Sequence, residues 1–127
     1  MSEERVRALW AAMADGWAAG DAAAFASVFA EDVDFVTVRG EDLRGRDAVE
    51  AVHARLFATV FRDTKLVPNF VLHRPLTDRL ALVHVTTGIV PLGLLTHAQA
   101  VVVLRDGEWS IAAFHNMIPN APKGPTP

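Results

Sequence analysis

The fold is decided by one stretch near the end of the chain, Glu108-Trp109-Ser110-Ile111-Ala112-Ala113-Phe114-His115-Asn116. It follows Asp106-Gly107, a pair that is typical of tight hairpin turns because glycine tolerates a positive φ. The stretch is apolar along most of its length, so it predicts a buried strand that closes a hairpin.

The end of this predicted strand is polar. Alternation of side chains places His115 on the face of Trp109 and Ile111, and Asn116 on the face of Phe114. An imidazole and an amide at the end of an apolar strand predict the wall and rim of a pocket. The alternative is a strand that frays into a polar loop.

Composition limits the class of protein. A chain of 127 residues, 51% of them hydrophobic, is long enough for one domain with a real core. The formal net charge of -3 gives no electrostatic reason to expect a nucleic acid or an anionic membrane as a partner. Cysteine is absent, which excludes disulfides and thiolate chemistry. The first residues lack the pattern of a signal peptide and no apolar run is long enough for a membrane span, so a cytoplasmic protein is expected.

Helical spacing dominates the first half of the chain. It predicts a first helix with the apolar stripe Val6, Leu9, Trp10, Met13 and Trp17. Asp21 can cap a second helix with the stripe Phe25, Val28 and Phe29. A strand is predicted over 33–38 and a charged loop over 40–45. A third helix has the clearest pattern, Val49, Val52, His53, Leu56, Phe57 and Val60, and His53 lies inside its apolar stripe.

The second half predicts strands at about 64–73, 80–90, 95–104 and 108–118, with turns at 75–78 and 91–93. Pro68 makes the first of these an edge strand or a bulged strand. One domain is expected over 1–118, followed by a tail over 119–127 that holds four prolines and has no periodicity.

The predicted helices lie in the first half of the chain and the predicted hairpins in the second half. This order predicts an α+β fold with the helices on one face of a curved sheet. The segment 98–104 is apolar on both faces. No predicted element remains to cover the second face, so a homodimer through the open face of the sheet is expected. The alternative is a sheet that curls enough to cover itself.

The chain resembles the nuclear-transport-factor-2-like superfamily, which includes ketosteroid isomerases, limonene epoxide hydrolase and SnoaL-type polyketide cyclases. The resemblance covers 6–116. Its motifs are Trp17-Ala18-Ala19-Gly20-Asp21, Phe29-Ala30-Glu31-Asp32, Gly45-Arg46 and Asp106-Gly107-Glu108-Trp109-Ser110-Ile111. Three further features resemble the SgcJ/EcaC-like group of natural-product gene clusters: Asp34-Phe35-Val36 with Gly40, His53 with Phe57, and Ala113-Phe114-His115-Asn116.

This resemblance implies a cone in which three N-terminal helices pack on a strongly curved, mostly antiparallel sheet and enclose a pocket. The residues expected to bind a small apolar substrate there are Trp10, Met13, Trp17, Phe35, Thr37, Phe57, His84, His97 and Phe114. The expected catalytic residues are His53, His115, Asn116 and Asp34. Asp34 is a general base if it points inward and a salt-bridge partner if it points outward.

The chain departs from the best-known members of the superfamily. At the positions that resemble the tyrosine and aspartate of ketosteroid isomerases, it has Met13 and Thr37, and it contains no tyrosine. An Asp-Arg-Asp arrangement like that of limonene epoxide hydrolases cannot be assembled from residues predicted to point inward. Histidine is therefore the expected acid or base, because an imidazole exchanges a proton near pH 7.

No cofactor and no metal ion are expected. No glycine-rich phosphate-binding motif follows a strand, and no two histidines have the spacing His-x-His or His-x3-His. Two functions remain open at this point. One is a cofactor-free enzyme of polyketide-type biosynthesis that performs isomerisation, cyclisation or dehydration. The other is a non-catalytic module that carries or shields an apolar intermediate.

Overall fold

The computed structural model describes residues 2–119, so all of the predicted tail except Pro119 lies outside the described residues. The described part contains three helices and six strands. In chain order they are α1 Ser2–Ala18, α2 Ala22–Ala26, β1 Phe29–Val36, β2 Asp42–Arg44, α3 Arg46–Ala58, β3 Lys65–Thr77, β4 Leu80–Val90, β5 Leu94–Arg105 and β6 Glu108–Met117. The predicted α+β class is confirmed.

The six strands form one sheet in the order β2-β1-β6-β5-β4-β3. Only the pairing of β1 with β6 is parallel among these neighbours. The strand that contains Pro68 lies at an edge, as the missing N–H of proline predicts. No helix within 2–119 is long and apolar enough to cross a membrane.

The helices cover one face of the sheet, which we call the inner face. Helix α1 packs on β3 and β6, α3 packs on β1 and β2, and α2 lies against both helices. On β4 and β5 the inner side chains are Ala81, Val83, Val85, Ala98, Ala100 and Val102, all buried. The opposite, outer face has no covering element within 2–119, and its side chains are half-buried or exposed.

Two predicted boundaries are wrong. Helix α2 stops at Ala26, where the Ser27 hydroxyl donates to the carbonyl oxygen of Ala24, so Phe29 begins β1 instead of extending a helical stripe. Phe29 is fully buried there. The segment predicted as a charged loop contains the short strand β2, which pairs with the end of β1.

A β-bulge in β6 overturns the predicted alternation of the last strand. Ala113 pairs with Val101, but Ile111 pairs with the adjacent Val102, so Ala112 is an extra residue in β6. An extra residue reverses the side-chain direction of everything that follows it. The inner face therefore receives Trp109 and Ile111 and then Phe114 and Asn116, whereas His115 points outward. The prediction that His115 shares a face with Trp109 and Ile111 is wrong.

Candidate functional site

The space between helices α1 and α3 and the inner face holds two adjoining cavities, of about 80 Å³ and 50 Å³. Together they can hold a few water molecules or a molecule of one or two small rings. The residues that line both are Trp17, Phe35, His53, Ile89, Thr96 and Asn116. We call this pair of cavities the inner pocket.

The sequence pattern of α3 explains why His53 reaches the inner pocket. Val49, His53 and Phe57 are spaced by four residues and are the buried residues of this helix. The Nδ1 atom of His53 lies 2.8 Å from the carbonyl oxygen of Val49, one turn earlier. A carbonyl can only accept, so Nδ1 carries the proton and Nε2 is left as a hydrogen-bond acceptor.

Burial decides the charge of this imidazole. It lowers the pKa of His53 to about 4, while the hydrogen bond to the Val49 carbonyl acts in the opposite direction. His53 is therefore neutral at pH 7.

Aromatic rings surround the His53 imidazole. The ring centroid of Phe25 lies 4.4 Å away, that of Phe35 5.6 Å, that of Phe57 5.9 Å and that of Trp17 6.1 Å. Such a shell removes water from the imidazole, which is the physical cause of its low pKa.

Asn116 supplies the second polar group of the inner pocket. Its Oδ1 atom is buried and makes no hydrogen bond in the described structure. A buried amide oxygen without a partner costs about 1 to 3 kcal/mol, which a bound hydroxyl or N–H group could recover. Rotation of the amide by half a turn would present its N–H donors instead.

Two other polar groups of the inner pocket, on Trp17 and Thr37, already have partners. The indole Nε1 of Trp17 donates to Thr64 Oγ1 at 2.8 Å. The Thr37 hydroxyl oxygen accepts from the backbone N–H groups of Arg39 and Glu41, so it stabilises the turn after β1 and is not free to polarise a ligand. None of the described residues lining the two cavities is Asp, Glu, Lys or Arg. The inner pocket therefore suits an uncharged molecule.

Seven of the predicted site residues line the inner pocket: Met13, Trp17, Phe35, Thr37, His53, Phe114 and Asn116. Trp10 is buried beside them, where its ring contacts Phe70 and Phe114, and is not among the lining residues. Phe57 does not line the inner pocket either. It lines a separate surface depression next to Trp17.

Four predicted site residues lie on the outer face instead. His84 and His97 alternate with the buried side chains of β4 and β5, so they point away from the helices. His115 also points away from the helices, because the bulge at Ala112 sets the direction of its side chain. Asp34 also points outward, with its carboxylate 3.8 Å from both Arg44 Nε and His115 Nε2. Of the two roles considered for Asp34, the structure shows the salt-bridge partner.

Sequence reasoning missed part of the inner pocket wall, namely Phe25, Leu66, Thr87, Ile89, Leu94 and Thr96. A signal existed for the strand residues. The faces of β4 and β5 that carry Ala81, Val83, Ala98 and Ala100 have no imidazole and only threonine as a polar residue, and the less polar face is the better candidate for burial under helices. Within 2–119, no three His, Cys, Asp or Glu side chains converge as a metal ion would require.

Comparisons with known proteins agree with this architecture. The family model of the SnoaL-like domain matches residues 10–112. No curated protein matches the chain.

Three solved structures are similar over most of their length. A domain of unknown function with a cystatin-like fold from Nostoc punctiforme is 28% identical, with a TM-score of 0.86 over 94% of this chain and 78% of that chain. An uncharacterized protein with a cystatin-like fold from Caulobacter vibrioides is 28% identical, with a TM-score of 0.82 over 93% and 89%. A putative scytalone dehydratase from Novosphingobium aromaticivorans is 17% identical, with a TM-score of 0.80 over 93% and 84%. These likenesses confirm the cone-like fold with a curved sheet that the superfamily resemblance implies.

Proposed function

The chain belongs to the SnoaL-like domain family, and from this premise we propose that it is a cofactor-free enzyme that performs acid/base chemistry on an uncharged, apolar substrate in the inner pocket. The reaction would be an isomerisation, a cyclisation or a dehydration, in natural-product biosynthesis of the polyketide type. The observation that carries the proposal is one neutral imidazole, His53, held in a single tautomer inside an apolar cavity.

His53 is placed to take up a proton and to return it, although its low pKa makes it a weak base. The Val49 carbonyl occupies Nδ1, so the lone pair of Nε2 is the only basic position of the ring. In the proposed reaction, Nε2 removes a proton from a carbon next to a substrate carbonyl, and the bond electrons move to the carbonyl oxygen as an enolate. Because its low pKa disfavours the imidazolium, His53 readily returns the proton, either to another carbon or to a departing hydroxyl group.

Asn116 would hold the oxygen on which negative charge develops. Its amide has no other partner, and its N–H donors can face the inner pocket after rotation. A donor placed at a developing oxyanion in a dry site typically contributes a large part of the rate enhancement. The enolate and the imidazolium also attract each other strongly in such surroundings.

The pathway assignment is supported by resemblance. The SgcJ/EcaC-like group and the name of the Novosphingobium relative, a putative scytalone dehydratase, motivate natural-product chemistry for this chain. The size of the inner pocket favours a substrate of one or two rings over a larger polycycle.

The alternative function is a non-catalytic module that carries or shields an apolar intermediate. It is favoured by the scarcity of polar groups in the inner pocket, whose lining apart from His53 and Asn116 is apolar, tryptophan or threonine. In that case affinity would depend on pocket volume and not on the imidazole.

The two functions can be distinguished with nitrobenzisoxazole, an uncharged two-ring compound whose ring opens when a base removes one proton. We expect saturable ring opening by the wild type. The rate should rise as the pH passes about 4 and stay constant at higher pH, since only the neutral form of His53 is a base. His53→Phe should reduce the rate at least about 100-fold, whereas His115→Phe, a change on the outer face, should not alter it.

Ligand binding is measured separately by quenching of Trp17, which lines the inner pocket. If the wild type and His53→Phe bind the compound with equal affinity and neither opens its ring, the protein is a binding module for such molecules. Turnover that persists in His53→Phe would refute the acid/base proposal.

We also propose that the outer face is the interface of a homodimer. Leu72, Leu82, Val101 and Val103 are half-buried there, and Val67 is 55% exposed. Apolar side chains on an uncovered sheet favour association through that surface. Sedimentation at micromolar concentration tests the proposal, and a monomer would contradict it.

A further inference from the structure

Three adjacent strands each place one histidine on the outer face. His84 on β4 and His115 on β6 both lie directly opposite Gln99 of β5. His97 of β5 lies two residues before Gln99, so it is a diagonal neighbour of both. All three imidazoles line one open cavity of about 390 Å³. The function proposed above uses none of them.

Two of these imidazoles already face each other through ring nitrogens. His84 Nε2 lies 3.3 Å from His97 Nδ1. This separation is longer than the usual N–H···O distance of about 2.9 to 3.0 Å, so a hydrogen bond between the two rings is weak. Two nitrogens bound to one tetrahedral ion at about 2.0 to 2.1 Å are separated by about 3.3 to 3.4 Å. The observed distance is therefore compatible with a chelating pair as well as with a weak hydrogen bond between the two rings.

His115 can supply a third nitrogen. Its side chain is 62% exposed, so it has room to change rotamer. It now lies beside the Asp34 carboxylate, at 3.8 Å, and does not converge with the other two rings. Its diagonal position relative to His97 matches that of His84 on the other side, within reach of a long side chain.

We propose that His84, His97 and His115 form a binding site for a divalent transition-metal ion of the zinc type on the outer face. His84 and His97 hold the ion, and His115 turns towards it and completes a three-histidine set, with water as the fourth ligand. Imidazole ligands select zinc, cobalt, nickel or copper over magnesium and calcium, which prefer oxygen. The bound ion links β4, β5 and β6 next to Asn116, so it stabilises the sheet at the wall of the inner pocket.

The test is titration of the tag-free chain with cobalt(II) and with zinc at pH 7.5. We expect one ion per chain, with micromolar affinity, a visible absorption band of tetrahedral cobalt, and a higher Tm in the presence of zinc, because an ion that binds only the folded state stabilises it. His84→Gln and His97→Gln should each weaken binding at least about tenfold. His115→Gln should weaken binding and remove the tetrahedral cobalt band. The control Thr86→Ala, on the same face, should bind like the wild type.

Three results would overturn the site. One is no zinc binding by the wild type. Another is binding that is unaffected by His84→Gln and His97→Gln, which would place the ion elsewhere. The third is one ion per two chains, which would show that the ligand set is not contained in one chain. Wild-type affinity and an unchanged cobalt spectrum in His115→Gln would overturn the role of His115.

Discussion

The inner and outer faces of the sheet place histidine in opposite surroundings. On the inner side, His53 is buried among aromatic rings, keeps one tautomer and stays neutral. On the outer side, His84, His97 and His115 share an open cavity with no covering element within 2–119. The same side chain is therefore set up for proton transfer on one face and for ligation on the other. What separates the two roles is the direction in which a strand or helix points the ring.

The largest difference between the faces should appear when the free energy of unfolding is compared for variants on each face. Phe29 is fully buried on the inner side and packs against Phe25, Phe35 and Phe114. Phe29→Ala should lower the free energy of unfolding by about 3 to 5 kcal/mol, since it leaves a cavity that the surroundings fill only partly. Urea denaturation measures this. Thr86→Ala on the outer face should cost less than about 1 kcal/mol, and equal losses at the two sites would contradict the distinction.

The second prediction concerns pH. The pKa of His53 is about 4 in the folded protein and near 6.5 in the unfolded chain, so the unfolded state binds more protons between these values. Stability is therefore complete above pH 6.5 and falls as the pH decreases towards 4, by roughly 3 kcal/mol from this group.

The variant His53→Leu isolates this contribution, because it removes the imidazole and keeps an apolar side chain. Denaturation between pH 7 and pH 4 should show a shallower loss of stability in His53→Leu than in the wild type. Parallel curves would show that His53 is not the group that titrates. Thr86→Val, on the outer face, should keep the slope of the wild type.

A smaller effect is expected from one hydrogen bond of the inner wall. Thr64 is buried and accepts the indole N–H of Trp17. Thr64→Val leaves that donor without a partner and should cost about 1 to 2 kcal/mol. A shift in Trp17 fluorescence should accompany the loss. Thr86→Val, a matched change on the outer face, should alter stability by no more than about 0.5 kcal/mol.

The smallest effect should come from Asp34→Asn. Its contacts with Arg44 and His115 are long and largely exposed, so their loss should change stability by less than about 0.5 kcal/mol. Ring opening of nitrobenzisoxazole should also be unchanged. A large loss of turnover would return Asp34 to the role of general base and remove the distinction between the faces.

The fold and the central imidazole could be predicted from the sequence because they depend on local patterns. The apolar stripe of α3 placed His53 among Val49 and Phe57, and the burial of all three follows that stripe. The bounds predicted for β4 agree with the structure to the residue. Helical and strand periodicity are properties of neighbouring residues, so one sequence is enough to detect them.

The direction of side chains within the sheet could not be predicted in the same way. Both faces of β4 and β5 are rich in apolar residues, so alternation alone does not say whether His84 or Val85 points to the helices. The bulge at Ala112 depends on how β6 aligns with β5 and β1, which is a property of the assembled sheet. The bond between the Thr37 hydroxyl and the turn is likewise visible only in three dimensions.

The extra residue in β6 has an evolutionary consequence. If Ala112 paired with Val101 in simple alternation, the end of the strand would reverse, so that His115 would point to the inner pocket and Phe114 and Asn116 to the outer face. The terminal part of this strand thus encodes two sets of side chains, of which only one is in use. A change in the number of residues between the bulge and Phe114 would exchange them, so the length of this strand, as well as substitution, can change which side chains line the pocket in related sequences.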